Sequence, residues 1–246
     1  MTVQKATAQA SSNLAFLKYW GSSDHTLNIP LNSSISMTLD TLYTITTVSF
    51  DDTLERDIVI IDGSEREGDP LHRASRHLDR LRRLAGVETR ARVESENNFP
   101  MAAGIASSAS AFAALTMASS AALGLELDRR AMSRQARLES GSASRSLYGG
   151  FVEWHAGHDH ESSYAEPIAD EHHWALRDVV AVVTPERKKV SSAEGHGLAA
   201  SSPFLQTRVE QVNRLLPQVR RAILERDLRT LGPAIEADAL AMHFVM

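Results

Sequence analysis

Apolar and polar positions alternate along residues 35–50, Ile-Ser-Met-Thr-Leu-Asp-Thr-Leu-Tyr-Thr-Ile-Thr-Thr-Val-Ser-Phe, and many are β-branched. A two-residue period sends successive side chains to opposite faces, so this stretch predicts one or two half-buried strands. Asp57-Ile-Val-Ile-Ile-Asp62, closed by Gly63, predicts another strand and its turn. The period then changes. After Pro70, the residues Leu71, Ala74, Leu78, Leu81 and Leu84 recur at helical spacing. Arg73, Arg76, Arg80, Arg82 and Arg83 fall on the other side and predict a solvated face. Val87 to Asn97 predicts a strand, and Asp128 caps a helix that runs to Leu138. Ser142 to His155 predicts a loop and strand, and Leu176 to Thr184 a buried strand. A helix is expected from Pro203 to Glu225, and a last one from Pro233. Residues 156–173 carry the least regular pattern and predict a border between subdomains. Strands and helices mix without strict βαβ repetition, so the fold class is α+β.

One segment follows neither period. From Asn97 to Leu125 there is no charged residue. A membrane-spanning helix needs about 20 strongly apolar residues. This stretch is instead rich in alanine and serine, and Asn97, Asn98 and Pro100 interrupt its start. It predicts a small-residue helix packed inside a protein with no membrane partner. Its beginning, Pro100-Met-Ala-Ala-Gly104-Ile-Ala-Ser107-Ser108-Ala109, has anion chemistry. Free N–H groups at a helix start, backed by the macrodipole, favour phosphate. Ser107, Ser108 and Ser110 could add hydroxyl donors or a magnesium ligand. No Walker Gly-Lys-Ser/Thr and no Rossmann Gly-x-Gly-x-x-Gly is present. The same serines suit ordinary helix capping, and the residues alone leave the two readings even.

Composition narrows the classes. The 246 residues hold 26 Lys+Arg against 31 Asp+Glu, a net charge of −5, so no basic surplus exists to neutralise a nucleic-acid backbone. There is no cysteine, which removes disulfides and thiolate metal sites and suits a reducing, cytoplasmic setting. No basic segment followed by an apolar one marks the start as a secretory signal. His155, His158, His160, His172 and His173 stand among Asp159, Glu161 and Glu171. Their spacing fits no zinc template, and a solvated loop is expected instead.

Short words then point to a family. The loop resembles the Pro-x-x-x-Gly-Leu-x-Ser-Ser-Ala phosphate loop of the GHMP kinases, with Ile105 in place of leucine. Asn13-Leu-Ala-Phe-Leu-Lys-Tyr-Trp-Gly21, Asn32-Ser-Ser-Ile-Ser36 and Asn97-Asn-Phe-Pro100 resemble diphosphomevalonate and phosphomevalonate decarboxylases. So do Ser140-Gly-Ser-Ala-Ser-Arg-Ser-Leu-Tyr-Gly-Gly150, Lys188-Lys-Val-Ser-Ser192 and Glu236-Ala-Asp238-Ala-Leu-Ala-Met-His243. The six words occur in family order.

The resemblance implies a GHMP kinase fold with two subdomains around one cleft. A ribosomal-S5-like, ATP-binding part would span 1–172, and a smaller, incomplete C-terminal α/β part 173–246. It implies ATP and Mg²⁺, a mevalonate phosphate as substrate, and a homodimer. The 3-hydroxyl would be phosphorylated; phosphate and CO₂ would then leave to give an isopentenyl phosphate. Asp238 would be the catalytic aspartate that orients or deprotonates that hydroxyl. Arg145 would bind the substrate carboxylate, and Lys18 would supply positive charge to the transferring phosphoryl group. Asn13, Tyr19, Ser142 and Ser192 would contact substrate. Gly104, Ala106, Ser107, Ser108 and Ser110 would bind ATP. Magnesium would be held mostly through ATP phosphates and water, with Ser108 the candidate protein ligand. A kinase that stops after phosphorylation, like a mevalonate 3-kinase, and a catalytically silent ligand-binding homologue are the alternatives.

Three departures qualify the resemblance. The family usually carries Lys-Arg-Asp after Trp-Gly, and this chain has Ser22-Ser23-Asp24. Each lost charge-assisted contact costs about 1.5–3 kcal/mol, so the 5-monophosphate is expected slightly ahead of the 5-diphosphate. Ser144 stands where many relatives have cysteine. The chain also stops at Phe244-Val-Met246, inside the word that holds Asp238, which reads as a truncation or a short variant.

Overall fold

A computed structural model describes residues 4–99, 107–181 and 192–246. Its frame is one sheet organised by a single long strand. Strand β1 (Gln4–Leu17) and strand β4 (Ser34–Phe50) pair antiparallel along nearly their whole length. The other edge of β4 is shared. Its second half pairs with β7 (Ala91–Asn97), and its first residues pair with β8 (Phe151–Trp154). Strand β5 (Ile58–Ile61) lies parallel to β7, and β6 (Ser64–Glu65) and β9 (Ala165–Ala169) complete the sheet. A small hairpin, β2 (Ser22–Asp24) and β3 (Ile29–Pro30), projects after β1.

Two cores form. In the first, Val48, Phe50, Val59 and Val93 meet helix α1 (Asp69–Ala85), helix α2 (Ser107–Ala122) and helix α3 (Arg129–Arg137). Helix α2 is buried nearly all round, with Ala109, Ala113, Ala114 and Ala118 wholly covered. Small side chains let β1 and β4 approach it closely, which accounts for the uncharged stretch. No helix among the described residues is long and apolar enough to cross a membrane. In the second core, Phe16, Leu17, Ile35 and Met37 meet helix α5 (Leu205–Glu225) and helix α6 (Leu228–Phe244). Helix α4 (Ser192–Leu198) lies near the end of β1.

Several elements depart from the sequence pattern. Strand β9 lies inside the polar border segment, drawn in by pairing with β8. The described part of the expected strand at 176–184 is not a strand; Leu176 packs against the second core, but Val179 is 89% exposed. Helix α6 begins five residues before Pro233, because the Asp227 side chain caps the N–H groups of Arg229 and Thr230. The α1 arginines form a solvated face only in part, with Arg76 and Arg83 exposed. Arg82 is buried on Asp57, while Arg76 and Arg80 grip the buried Glu139 carboxylate and Arg73 donates to the Glu139 carbonyl.

Candidate active site

The end of β1, the start of β4 and the turn 141–146 converge on Arg145. Alternation along β4 turns Ile35 into the helical core and leaves Ser34 and Ser36 on the opposite face. Arg145 lies across them. Its Nε donates to Ser36 Oγ at 3.0 Å, Nη1 to Ser34 Oγ at 2.5 Å, and Nη2 to Asn13 Oδ1 at 3.1 Å. Asn13 in turn donates through Nδ2 to the Ser142 carbonyl and to Ser146 Oγ, which fixes the turn that carries Arg145. The guanidinium is 2% exposed, yet all three partners are neutral, and no carboxylate pairs with it among the described residues. Burial pushes its pKa down to about 10, so it remains a cation at neutral pH.

A second cation stands beside it. Burial pushes the Lys18 ammonium below its usual range; Asp238 opposes that shift and Arg145 reinforces it. Tyr19 follows, with its hydroxyl 2.8 Å from Ser22 Oγ and its ring edge-on to Trp154 at 4.8 Å. Burial raises its phenol pKa, so it stays protonated at neutral pH. Gly141 lies against both rings: a Cβ there would come within 2.6 Å of Tyr19 Cε1 and 2.7 Å of Trp154 Cη2.

Hydroxyls link this turn to the start of α2. Ser108 is exposed, and its Oγ lies 3.3 Å from Ser140 Oγ, which lies 3.4 Å from Ser142 Oγ. The uncharged helix start and the Arg145 turn therefore face one another across three serines. Ser107 opens the helix beside Ser108. Gly104 and Ala106 lie outside the described residues, and Ser192 is the first residue of α4. Ser110 departs from expectation. It is wholly buried, with Oγ 2.7 Å from Thr44 Oγ1, so it anchors α2 to β4.

Asp238 lies on α6. It is 0% exposed, and both oxygens are engaged. Oδ2 accepts the Lys18 backbone N–H at 2.6 Å, and Oδ1 accepts Arg208 Nη2 at 2.9 Å. Arg208 also donates to the Lys18 carbonyl and to Asn32 Oδ1. The carboxylate closes a buried clamp between α6, α5 and the end of β1, with one hydrogen bond to each oxygen. Burial raises its pKa more than Arg208 and the Lys18 N–H lower it. The apolar neighbours of Asp238 signalled burial correctly but could not show its partner. Sequence reasoning missed Arg208, Ser34 and Ser36. The two serines stood in the Asn32–Ser36 word, whereas Arg208 carried no local signal.

Known proteins match along the whole chain. The diphosphomevalonate decarboxylase-like N-terminal domain matches residues 10–165, and the mevalonate 5-diphosphate decarboxylase C-terminal domain matches 178–246. Diphosphomevalonate decarboxylase of Candida albicans is 39% identical, covering 98% of this chain and 71% of its own length. The Saccharomyces cerevisiae protein is 39% identical over 99% and 66%, and the human protein 38% over 96% and 64%. This chain therefore spans about two thirds of the length of these relatives. Mevalonate diphosphate decarboxylase from Staphylococcus aureus superposes with a TM-score of 0.91 at 39% identity, over 99% of this chain and 74% of that one. A structure described as MDDEF in complex with MVAPP, AMPPCP and magnesium has a TM-score of 0.89 at 37% identity, over 99% and 75%. The fold is thus that of the GHMP kinases, as the phosphate-loop word implied. Each of these relatives is named for the diphosphate, which gives no support to the expected preference for the monophosphate.

Proposed function

The chain belongs to the diphosphomevalonate decarboxylase family, and from that premise we propose that it converts mevalonate 5-diphosphate and ATP to isopentenyl diphosphate, CO₂, phosphate and ADP. One observation carries the reading: a buried guanidinium, Arg145, whose hydrogen-bond partners are all neutral, with Lys18 beside it. An unpaired buried cation is costly unless an anion joins it, and a guanidinium fork suits a carboxylate.

In this reading Arg145, held by Ser34, Ser36 and Asn13, binds the substrate carboxylate. Tyr19 and Ser142 line the same turn. Ser107 and Ser108 receive the ATP phosphates at the α2 N-terminus, where N–H groups and the macrodipole favour negative charge. Magnesium would neutralise charge on those phosphates, and the Ser108 hydroxyl would be the candidate protein ligand. Phosphoryl transfer passes through a loose transition state, so positioning and positive charge matter more than a strong base. Lys18 supplies that charge at the 3-oxygen. Phosphate is then a good leaving group: the C3–O bond breaks, positive character forms at C3, and the C1–C2 electron pair becomes the double bond as CO₂ departs. Arg145 holds the carboxylate in place until that bond breaks. Asp238 acts through structure, by fixing the Lys18 backbone.

The test compares kcat/KM for mevalonate 5-diphosphate and 5-monophosphate, following CO₂. Preference for the diphosphate is expected; a clear preference for the monophosphate would overturn the substrate assignment. ADP release without CO₂ would point to a kinase, and ATP binding without ADP to a silent homologue.

A further inference from the structure

Helix α4 has had no role so far, yet it grips the residues that follow Lys18. His196 Nδ1 accepts the Gly21 N–H at 3.0 Å. The His196 ring stacks on Tyr19, with centroids 4.0 Å apart and planes at 25°, and tilts against Trp20 at 4.8 Å. One residue earlier, Gly195 lies so close to Trp20 that a Cβ would come within 2.5 Å of its ring. Gly21 has φ +85°, a left-handed conformation that glycine alone adopts easily, and a Cβ there would meet Leu31 at 2.8 Å. Its carbonyl accepts the Leu31 N–H, which closes the base of the β2–β3 hairpin. The imidazole thus ties together α4, the Tyr19 ring and the hairpin that bears Ser22.

We propose that His196 is a positioning residue: it clasps α4 to the Tyr19–Gly21 turn and so fixes the Tyr19 and Ser22 hydroxyls for substrate binding. This rests on the substrate reading above. Acceptance at Nδ1 requires a neutral ring with its proton on Nε2. Burial, then the nearby His25 and Arg208, hold the His196 pKa down to about 4, so the ring is neutral at working pH. The stacked Tyr19 phenol is itself uncharged at that pH.

Three variants of the full chain test it. His196→Phe keeps a stacking ring but has no acceptor, His196→Ala has neither, and His196→Asn returns an oxygen near the Nδ1 position. Two readouts are paired: hydrogen exchange at the Gly21 amide without ligand, and KM for mevalonate 5-diphosphate beside KM for ATP. His196→Phe is expected to speed Gly21 exchange and raise the diphosphate KM, each about tenfold, the effect of one hydrogen bond. The kcat and the ATP KM stay within about twofold, because the clasp acts on substrate position alone. His196→Ala does more, and His196→Asn restores part of both readouts, because it returns the acceptor without the ring. Unchanged Gly21 exchange in His196→Phe would overturn the clasp. Faster exchange with an unchanged diphosphate KM would overturn its role in positioning. A wild type that protects Gly21 but does not bind the diphosphate would overturn the substrate reading, and the positioning role with it.

Discussion

Replacing Asp238 by asparagine separates structure from catalysis at this position. Asparagine keeps the shape and one acceptor but removes the charge. Arg208, buried and held 2.9 Å from the carboxylate, then loses its only anionic partner among the described residues. Removing one member of a buried ion pair costs about 3–5 kcal/mol, because the other charge stays buried and unpaired. For a chain of this size each kcal/mol lowers Tm by about 2–4 °C, so a fall of about 6–20 °C is expected. Thermal unfolding by circular dichroism measures it, and kcat is taken well below the variant's Tm. There kcat should fall less than about tenfold, since in the proposed reading the carboxylate only holds the Lys18 backbone and Arg208. A catalytic base would behave otherwise: kcat would drop about 10²–10⁴-fold with little change in Tm. That second result would refute the clamp. Replacing both partners, with Asp238→Leu and Arg208→Met, should recover much of the lost stability, since apolar pairs often match buried ion pairs.

Arg145→Met should divide function from stability in the opposite sense. Losing one or two charge-assisted contacts lowers kcat/KM at least about tenfold, while urea unfolding shows unchanged or raised stability because an uncompensated cation has gone; a large stability loss would contradict the anion-binding role. Gly141→Ala drives a Cβ to within 2.6 Å of Tyr19 and should cost about 1–3 kcal/mol, read as an earlier urea midpoint; a midpoint equal to wild type would contradict the close packing. Acid should weaken the fold through His77, which is wholly buried, bonded only through Nε2 to Thr116, and held down to about 4. A lowered histidine pKa leaves stability intact above about 6.5 and removes it as pH falls towards 4, by at most about 3 kcal/mol. His77→Leu should flatten that loss between pH 6.5 and 4; an unchanged slope would show that other groups cause it.

Local pattern made α1 and α5 legible, because large apolar residues recur there at helical spacing, and α3 was legible because Asp128 caps its start. Strand β1 escaped notice because its first half alternates alanine with threonine and glutamine, residues whose strand preference comes from the β4 partner. The stretch at 176–181 misled for the converse reason: strand-forming residues were present without a partner strand. Arg145, Asn13, Lys18 and Tyr19 were legible from short words, and the fold brings them to one place. The Arg208 partner of Asp238 was not legible, because it lies thirty residues away on another helix. Glu139 and the α1 arginines teach the same point, since helical periodicity shows which face is polar but not what lies opposite.

The most direct measurement is a stoichiometry. The purified 246-residue chain is incubated with carboxyl-labelled mevalonate 5-diphosphate, ATP and Mg²⁺, and labelled CO₂ and ADP are counted together, with Arg145→Met as control. One CO₂ per ADP, lost in the control, is the predicted result. ADP formed without CO₂, or equal CO₂ from the control, would contradict the account.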